Sequence, residues 1–126
     1  MKRLIVDLDE TLTLPNENLS YEMKEPNVAL IAKLREYERE GFEIIIQTAR
    51  NMRTFQQSVG KINAHTLPLI IDWLKKHDVP YSEIHVGKPW CGTEGFYVDD
   101  RAVRPREFVH LSRDEIGILL TRDRWI

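Results

Sequence analysis

Apolar positions along the chain fall into two kinds of run. Leu4-Ile5-Val6 and Ile44-Ile45-Ile46 are continuous, the pattern of strands covered on both faces as in a parallel sheet. Ile84-His85-Val86 and Phe96-Tyr97-Val98 read as two shorter strands. Between them the spacing turns helical. Val28, Leu30, Ile31, Leu34 and Tyr37 follow an N-cap at Asn27 and stop at Gly41, which gives a helix of about four turns. Leu67, Ile70, Ile71 and Leu74 fall at i, i+3, i+4 and i+7 behind Thr66 as a cap, with Pro68 tolerated in the first turn. Ser112 and Glu115 have capping-box spacing ahead of Ile116, Leu119 and Leu120. Residues 14–26 carry two prolines and no period, so they read as a loop or small flap, and 51–65 are polar, unperiodic and include Gly60. Trp125-Ile126 is too apolar for a frayed tail and is expected to pack back or to meet another subunit.

Strand–helix alternation implies right-handed crossovers. The expected fold class is therefore α/β, a Rossmann-like three-layer sandwich with a mainly parallel sheet. With 126 residues the chain makes one domain, 1–126, able to bury about two-thirds of its unfolded surface without disulfides or a structural metal. Its 42% hydrophobic and 30% charged residues are ordinary for a soluble globular protein. No apolar run reaches the roughly 18 residues of a membrane span, and Met1-Lys2-Arg3 leads directly into a strand rather than a signal peptide, so no membrane partner and a cytoplasmic location are expected. Cys91 stands alone and forms no internal disulfide, and a formal charge of −2 creates no field that favours nucleic acid or membrane.

In doubly wound folds the ligand sits beyond the carboxyl ends of the strands. The residues there are Asp7, Asp9 and Thr11, then Thr48, then Lys88, then Asp99 and Asp100. Two carboxylates about 4 Å apart repel by roughly 4 kcal/mol at an effective dielectric near 20, so four of them on one rim call for a positive charge. The donors are all oxygen, and His65, His77, His85 and His110 show no metal-binding spacing, which favours Mg²⁺ over Zn²⁺. Carboxylates, Mg²⁺ and a lysine are the equipment of phosphoryl transfer.

Asp7-Leu8-Asp9-Glu10-Thr11 after an apolar strand resembles the D-x-D-x-T motif of the haloacid dehalogenase-like (HAD) phosphohydrolases. Ile44-Ile45-Ile46-Gln47-Thr48 is similar to their second motif, Lys88 stands where the third has its lysine, and Phe96-Tyr97-Val98-Asp99-Asp100 resembles the acidic fourth, all in the family's order. The resemblance implies that Asp7 is the nucleophile that becomes an aspartyl-phosphate and that Asp9 is the acid and then the base. Thr48 and Lys88 would hold the phosphoryl oxygens. It further implies Mg²⁺ on Asp7, the Asp9 carbonyl and Asp99, with Asp100 acting through water or from behind the direct ligands. The second Asp of the first motif points to phosphate esters rather than carbon–halogen bonds. Asp99-Asp100-Arg101-Ala102-Val103-Arg104-Pro105 and the short chain are similar to the capsular polysaccharide biosynthesis phosphatases, which implies a sugar phosphate or related small phosphorylated metabolite.

Arg50, next to Thr48, is the first candidate among Arg50, Arg53, Arg101 and Arg104 for gripping a second anionic group, with Thr11 as a further substrate contact. Trp90 either packs or lines a sugar-facing wall. Two alternatives are a non-catalytic Mg²⁺- and phosphate-binding regulator and a 3′-phosphatase acting on nucleic acid. The regulator expects an acceptor Asp after an inner strand, where Thr48 stands instead. The nucleic-acid enzyme expects a basic, aromatic-interleaved stripe that the chain lacks. Segments 10–26 and 49–66 are too short to form a separate cap domain. The site should be open, or roofed by a flap, by the Gly60 loop or by a neighbouring subunit of a homo-oligomer.

Overall fold

A computed structural model describes Met1–Arg122 and divides the chain into two compact units, Met1–Trp90 and Cys91–Ile126. In the first unit, β1 (Arg3–Asp7), β2 (Glu43–Gln47) and β3 (Glu83–His85) form a parallel sheet in the order β1-β2-β3. Helix α1 (Val28–Arg39) joins β1 to β2, and α2 (Val59–His65) and α3 (Leu67–Lys76) join β2 to β3. The class is α/β, as the alternation predicts. No helix among the described residues is long and apolar enough to cross a membrane.

The core sits around the middle strand. Ile44, Ile45 and Ile46 are all buried because β2 has a neighbour on each side and α1 packed on it through Leu30, Ile31, Leu34 and Tyr37. The Asn27 side chain caps α1 by accepting from the Leu30 amide at 3.3 Å. At the other end Gly41 takes φ +95°, and the Phe42 and Gly41 amides donate to the carbonyls of Tyr37 and Glu38, a Schellman closure that needs this left-handed residue.

Several expectations are corrected. The same continuous apolar run in β1 leaves Ile5 55% exposed, because β1 is the edge of the sheet rather than its interior. Thr66 begins α3 without capping it: its hydroxyl donates instead to Asn51 Oδ1 at 2.7 Å, and the buried face is Ile70, Trp73 and Leu74, with Ile71 exposed. Part of the polar 51–65 stretch is helical, since α2 needs only Ser58 as a cap and Ile62 as an anchor, too little to register as a period. Residues 14–26 do form a loop. It is pinned by a Thr13–Pro26 bridge and by the Trp73 indole, which donates to the Lys24 carbonyl at 3.0 Å.

The second unit holds α4 (Pro105–His110) and α5 (Arg113–Arg122). The expected capping box opens α5, with the Glu115 amide donating to Ser112 Oγ at 3.1 Å and the Ser112 amide to Glu115 Oε1 at 2.9 Å. The expected strand at 96–98 does not form, and Phe96 and Val98 are 80% and 89% exposed. A strand exists only by pairing with another backbone, and this segment makes no ladder. Trp125-Ile126 lies outside the described residues.

Candidate functional site

Asp7 ends β1, and a single wide turn, Leu8–Leu12, follows it. Leu8 and Leu12 point into the core, which leaves Asp7 and Asp9 toward the rim of the sheet. The turn closes with the Thr13 amide donating to the Leu8 carbonyl at 3.1 Å. Glu10 is held at φ 60°, a left-handed conformation that costs a non-glycine residue about 1 kcal/mol or more, and its amide donates to the buried Thr13 Oγ1 at 3.0 Å. The Thr11 carbonyl accepts from Asn27 Nδ2 at 3.1 Å, so the residue that caps α1 also anchors the turn.

Thr48 extends the β2–β3 ladder past its end: its amide donates to the His85 carbonyl at 2.9 Å and its carbonyl accepts from the Lys88 amide at 3.1 Å. Between these partners Gly87 takes φ +84°, and a Cβ there would lie 2.9 Å from Val59 Cγ2, so only glycine turns the chain in the space available. The result places Lys88 Nζ 3.7 Å from Asp7 Oδ1. The Thr48 hydroxyl is buried and accepts from the Arg50 amide at 3.0 Å.

Arg50 is the residue whose task the sequence least reveals. Its guanidinium is buried and grips Asp9 with two bonds, Nη2 to Oδ1 at 2.7 Å and Nε to Oδ2 at 3.3 Å, while its plane lies 4.3 Å from the Tyr21 ring centroid. A planar two-point pair fixes direction as well as charge. Arg50 was expected to grip a second anionic group; in the structure it is engaged with Asp9. Tyr21 had no signal in the sequence, since nothing in an unperiodic loop marks the ring that will cover a residue 29 positions later.

Asp7, Asp9, Thr48, Arg50 and Lys88 therefore meet at the carboxyl end of one small sheet. Burial holds the Asp7 carboxyl above its ordinary pKa, with the Lys88 ammonium pulling the other way and the Asp9 charge adding to the rise. Nearby, Met52, Arg53, Gln56, Gln57, Pro89 and Trp90 line a cleft of about 500 Å³. Arg53 lies 5.7 Å from the Trp90 ring centroid, so Trp90 is a wall rather than a core residue. Asn51, Gln56 and Gln57 in the same loop all have positive φ, the kind of local strain that gathers at binding sites.

Asp99 and Asp100 belong to the second unit, where both are exposed and Asp99 Oδ1 accepts from the Arg101 amide at 2.8 Å. Among the described residues no three His, Cys, Asp or Glu side chains gather closely enough to hold a metal ion. The first unit's donors match Mg²⁺ in kind, being oxygens of Asp7 and Asp9, and fall short in number.

A crystal structure of a structural-genomics target from Vibrio cholerae is 58% identical to this chain and superposes with a TM-score of 0.95, covering 98% of this chain and 100% of that one. The chain belongs to that protein's family. Agreement at this level extends over that protein's whole length, so the Asp7–Lys88 arrangement sits in a backbone the two share. No protein-family model matches the chain, and no curated protein does.

Proposed function

We propose that the protein is a Mg²⁺-dependent phosphomonoester hydrolase of the HAD type, with a Rossmann-like core, acting on a small phosphorylated metabolite such as a sugar phosphate. The observation that carries this reading is the pairing at the sheet's carboxyl end: two carboxylates two residues apart, each facing its own cation, Asp7 with Lys88 and Asp9 with Arg50. A phosphate ester brings three anionic oxygens, and Lys88 with the Thr48 hydroxyl forms the side of the rim that would receive them.

Asp7 attacks phosphorus, so that an aspartyl-phosphate forms as the bond to the leaving oxygen breaks. Asp9 gives that oxygen its proton and afterwards takes one from the water that hydrolyses the intermediate, regenerating Asp7 and releasing phosphate. Arg50 is a positioning residue: its two bonds hold the Asp9 carboxylate in one orientation through both steps. Asp7 and the Asp9 carbonyl, with Asp99 and Asp100 as the resemblance implies, are the residues that would hold Mg²⁺, which would neutralise the phosphoryl charge. The Arg53–Trp90 cleft offers an aromatic wall and a cation to the non-reacting part of the substrate, which suits a sugar bearing a second polar or anionic group.

The test is release of inorganic phosphate from an aryl phosphate and from a panel of sugar phosphates. Activity should require Mg²⁺, and Asp7→Asn should reduce it by about 10³-fold or more. Hydrolysis that survives both the substitution and chelation would overturn the reading.

A further inference from the structure

The loop between the Asp9 turn and α1 is polar and unperiodic, yet it is fixed at its base and again farther out. At the base, the Leu14 amide donates to the Glu25 carbonyl at 2.8 Å and the Asn27 amide to the Leu12 carbonyl at 2.8 Å, beside the Thr13–Pro26 bridge. Farther out, Tyr21–Met23 make one tight helical turn, closed by the Lys24 amide donating to the Tyr21 carbonyl at 3.3 Å. The Lys24 carbonyl then accepts from the indole of Trp73, a buried residue of α3, at 3.0 Å, and the Lys24 ammonium donates to the Asn16 carbonyl. Loops left to solvent are free to move; this one is set in place by a side chain 49 residues away.

What the turn presents is the Tyr21 ring. The Arg50 guanidinium carbon lies 4.3 Å from the ring centroid, and the Arg50 side chain keeps 3% of its surface in solvent while the Asp9 side chain it grips keeps 32%. The pair is dry on the arginine side and open on the aspartate side. A cation against an aromatic face, and a guanidinium on a carboxylate, are both held more strongly where water is excluded. The ring also occupies the space into which the guanidinium could swing, which keeps its bonds to Asp9 at 2.7 and 3.3 Å. Tyr21 itself is 41% exposed, so burial of the ring does not explain its place. We propose that Tyr21 is a second positioning residue for the Asp9 chemistry: it covers Arg50, and through Arg50 it holds the Asp9 carboxylate in the one orientation that serves both proton transfers. The loop is thereby the part of the roof that keeps water from the Arg50–Asp9 pair, with Trp73 as its fixed point on α3.

The contact stands on geometry; its role in turnover rests in addition on the phosphatase reading. In nitrogen–proton correlation spectra the Arg50 Nε–H signal, assigned as the one missing from Arg50→Ala, should lie upfield under the ring current in wild type and in Tyr21→Phe. It should move downfield in Tyr21→Ala. With an aryl phosphate and Mg²⁺, Tyr21→Ala should lower kcat by about 3- to 20-fold with KM within about twofold, and Tyr21→Phe should keep kcat within about twofold. Because the ring acts through Arg50, the double variant Tyr21→Ala, Arg50→Ala should be no slower than Arg50→Ala alone. Unchanged kcat in Tyr21→Ala, a loss confined to KM, losses that multiply in the double variant, or Tyr21→Phe as slow as Tyr21→Ala would overturn the proposal. A wild type that shows the shifted signal and hydrolyses no phosphate ester would remove the phosphatase reading, and with it the role in turnover, while the contact stays. Mg²⁺-dependent hydrolysis with an Arg50 signal indifferent to the ring would keep that reading and overturn the proposal.

Discussion

The two units of this protein solve the problem of burial differently. Met1–Trp90 carries Ile44, Ile45 and Ile46 between neighbouring strands, packs α1 against them, and keeps nearly all of the buried apolar side chains among the described residues. Cys91–Ile126 has sound local chemistry, with a capping box at the start of α5 and the Arg104 amide donating to Glu107 Oε1 at 2.8 Å at the start of α4, yet Phe108 is its lone buried apolar anchor among the described residues. Good helix ends stabilise a helix by about 1 kcal/mol each, which cannot replace a core. One unit is organised around its own centre, and the other rests on the local chemistry of its helix ends.

The contrast can be broken at several points. The largest effect should come from the site in the first unit, where Asp7→Asn removes the nucleophile and lowers hydrolysis by about 10³-fold or more in steady-state kinetics. Next is the core: Ile46→Ala should cost about 2–5 kcal/mol in denaturant unfolding, independent of protein concentration. Val98→Ala sharpens the comparison. At this exposed position it should change stability by no more than about 0.5 kcal/mol in the same denaturant titration.

Arg50→Ala should lower kcat by about 10- to 100-fold while KM changes little, because it frees the orientation of Asp9 rather than a substrate contact. Arg50→Lys should restore only part of the loss, since an ammonium cannot reproduce the two-point grip. The smallest effect concerns pH. Burial raises the Asp7 pKa in the folded protein, so the folded state binds this proton more tightly than the unfolded chain does. Its contribution to stability is therefore greatest below the ordinary aspartate range and is lost as pH rises through the folded value. In metal-free protein the melting temperature of Asp7→Asn should exceed wild type at pH 7, and the gap should shrink toward pH 3.5.

Much of this was legible in the sequence, for reasons that differ between residues. Asp7, Asp9, Thr48 and Lys88 could be picked out because each follows an apolar run, and a strand end is a place that topology makes meaningful. Asn27, Gly41 and the Ser112–Glu115 pair were readable because capping is local chemistry within four residues. Apolar runs at 4–6 and 96–98 showed that these segments seek burial, but hydrophobicity does not say which backbone will supply it. That is why Ile5 and Val98 turn out exposed where a covered sheet was expected. The Arg50–Asp9 grip, its Tyr21 cover and the Thr66–Asn51 bond join residues that only the folded chain brings near, and no spacing announces them.

The central claim is that Asp7 takes the phosphoryl group during turnover, and it can be observed directly. The protein is mixed with a radiolabelled phosphate ester and Mg²⁺, quenched in acid within a turnover, digested and analysed by mass spectrometry. Label should appear on the peptide containing Asp7 in the wild type and disappear in Asp7→Asn along with phosphate release. Turnover that proceeds with no label on that peptide, or with the label carried elsewhere, would contradict the account.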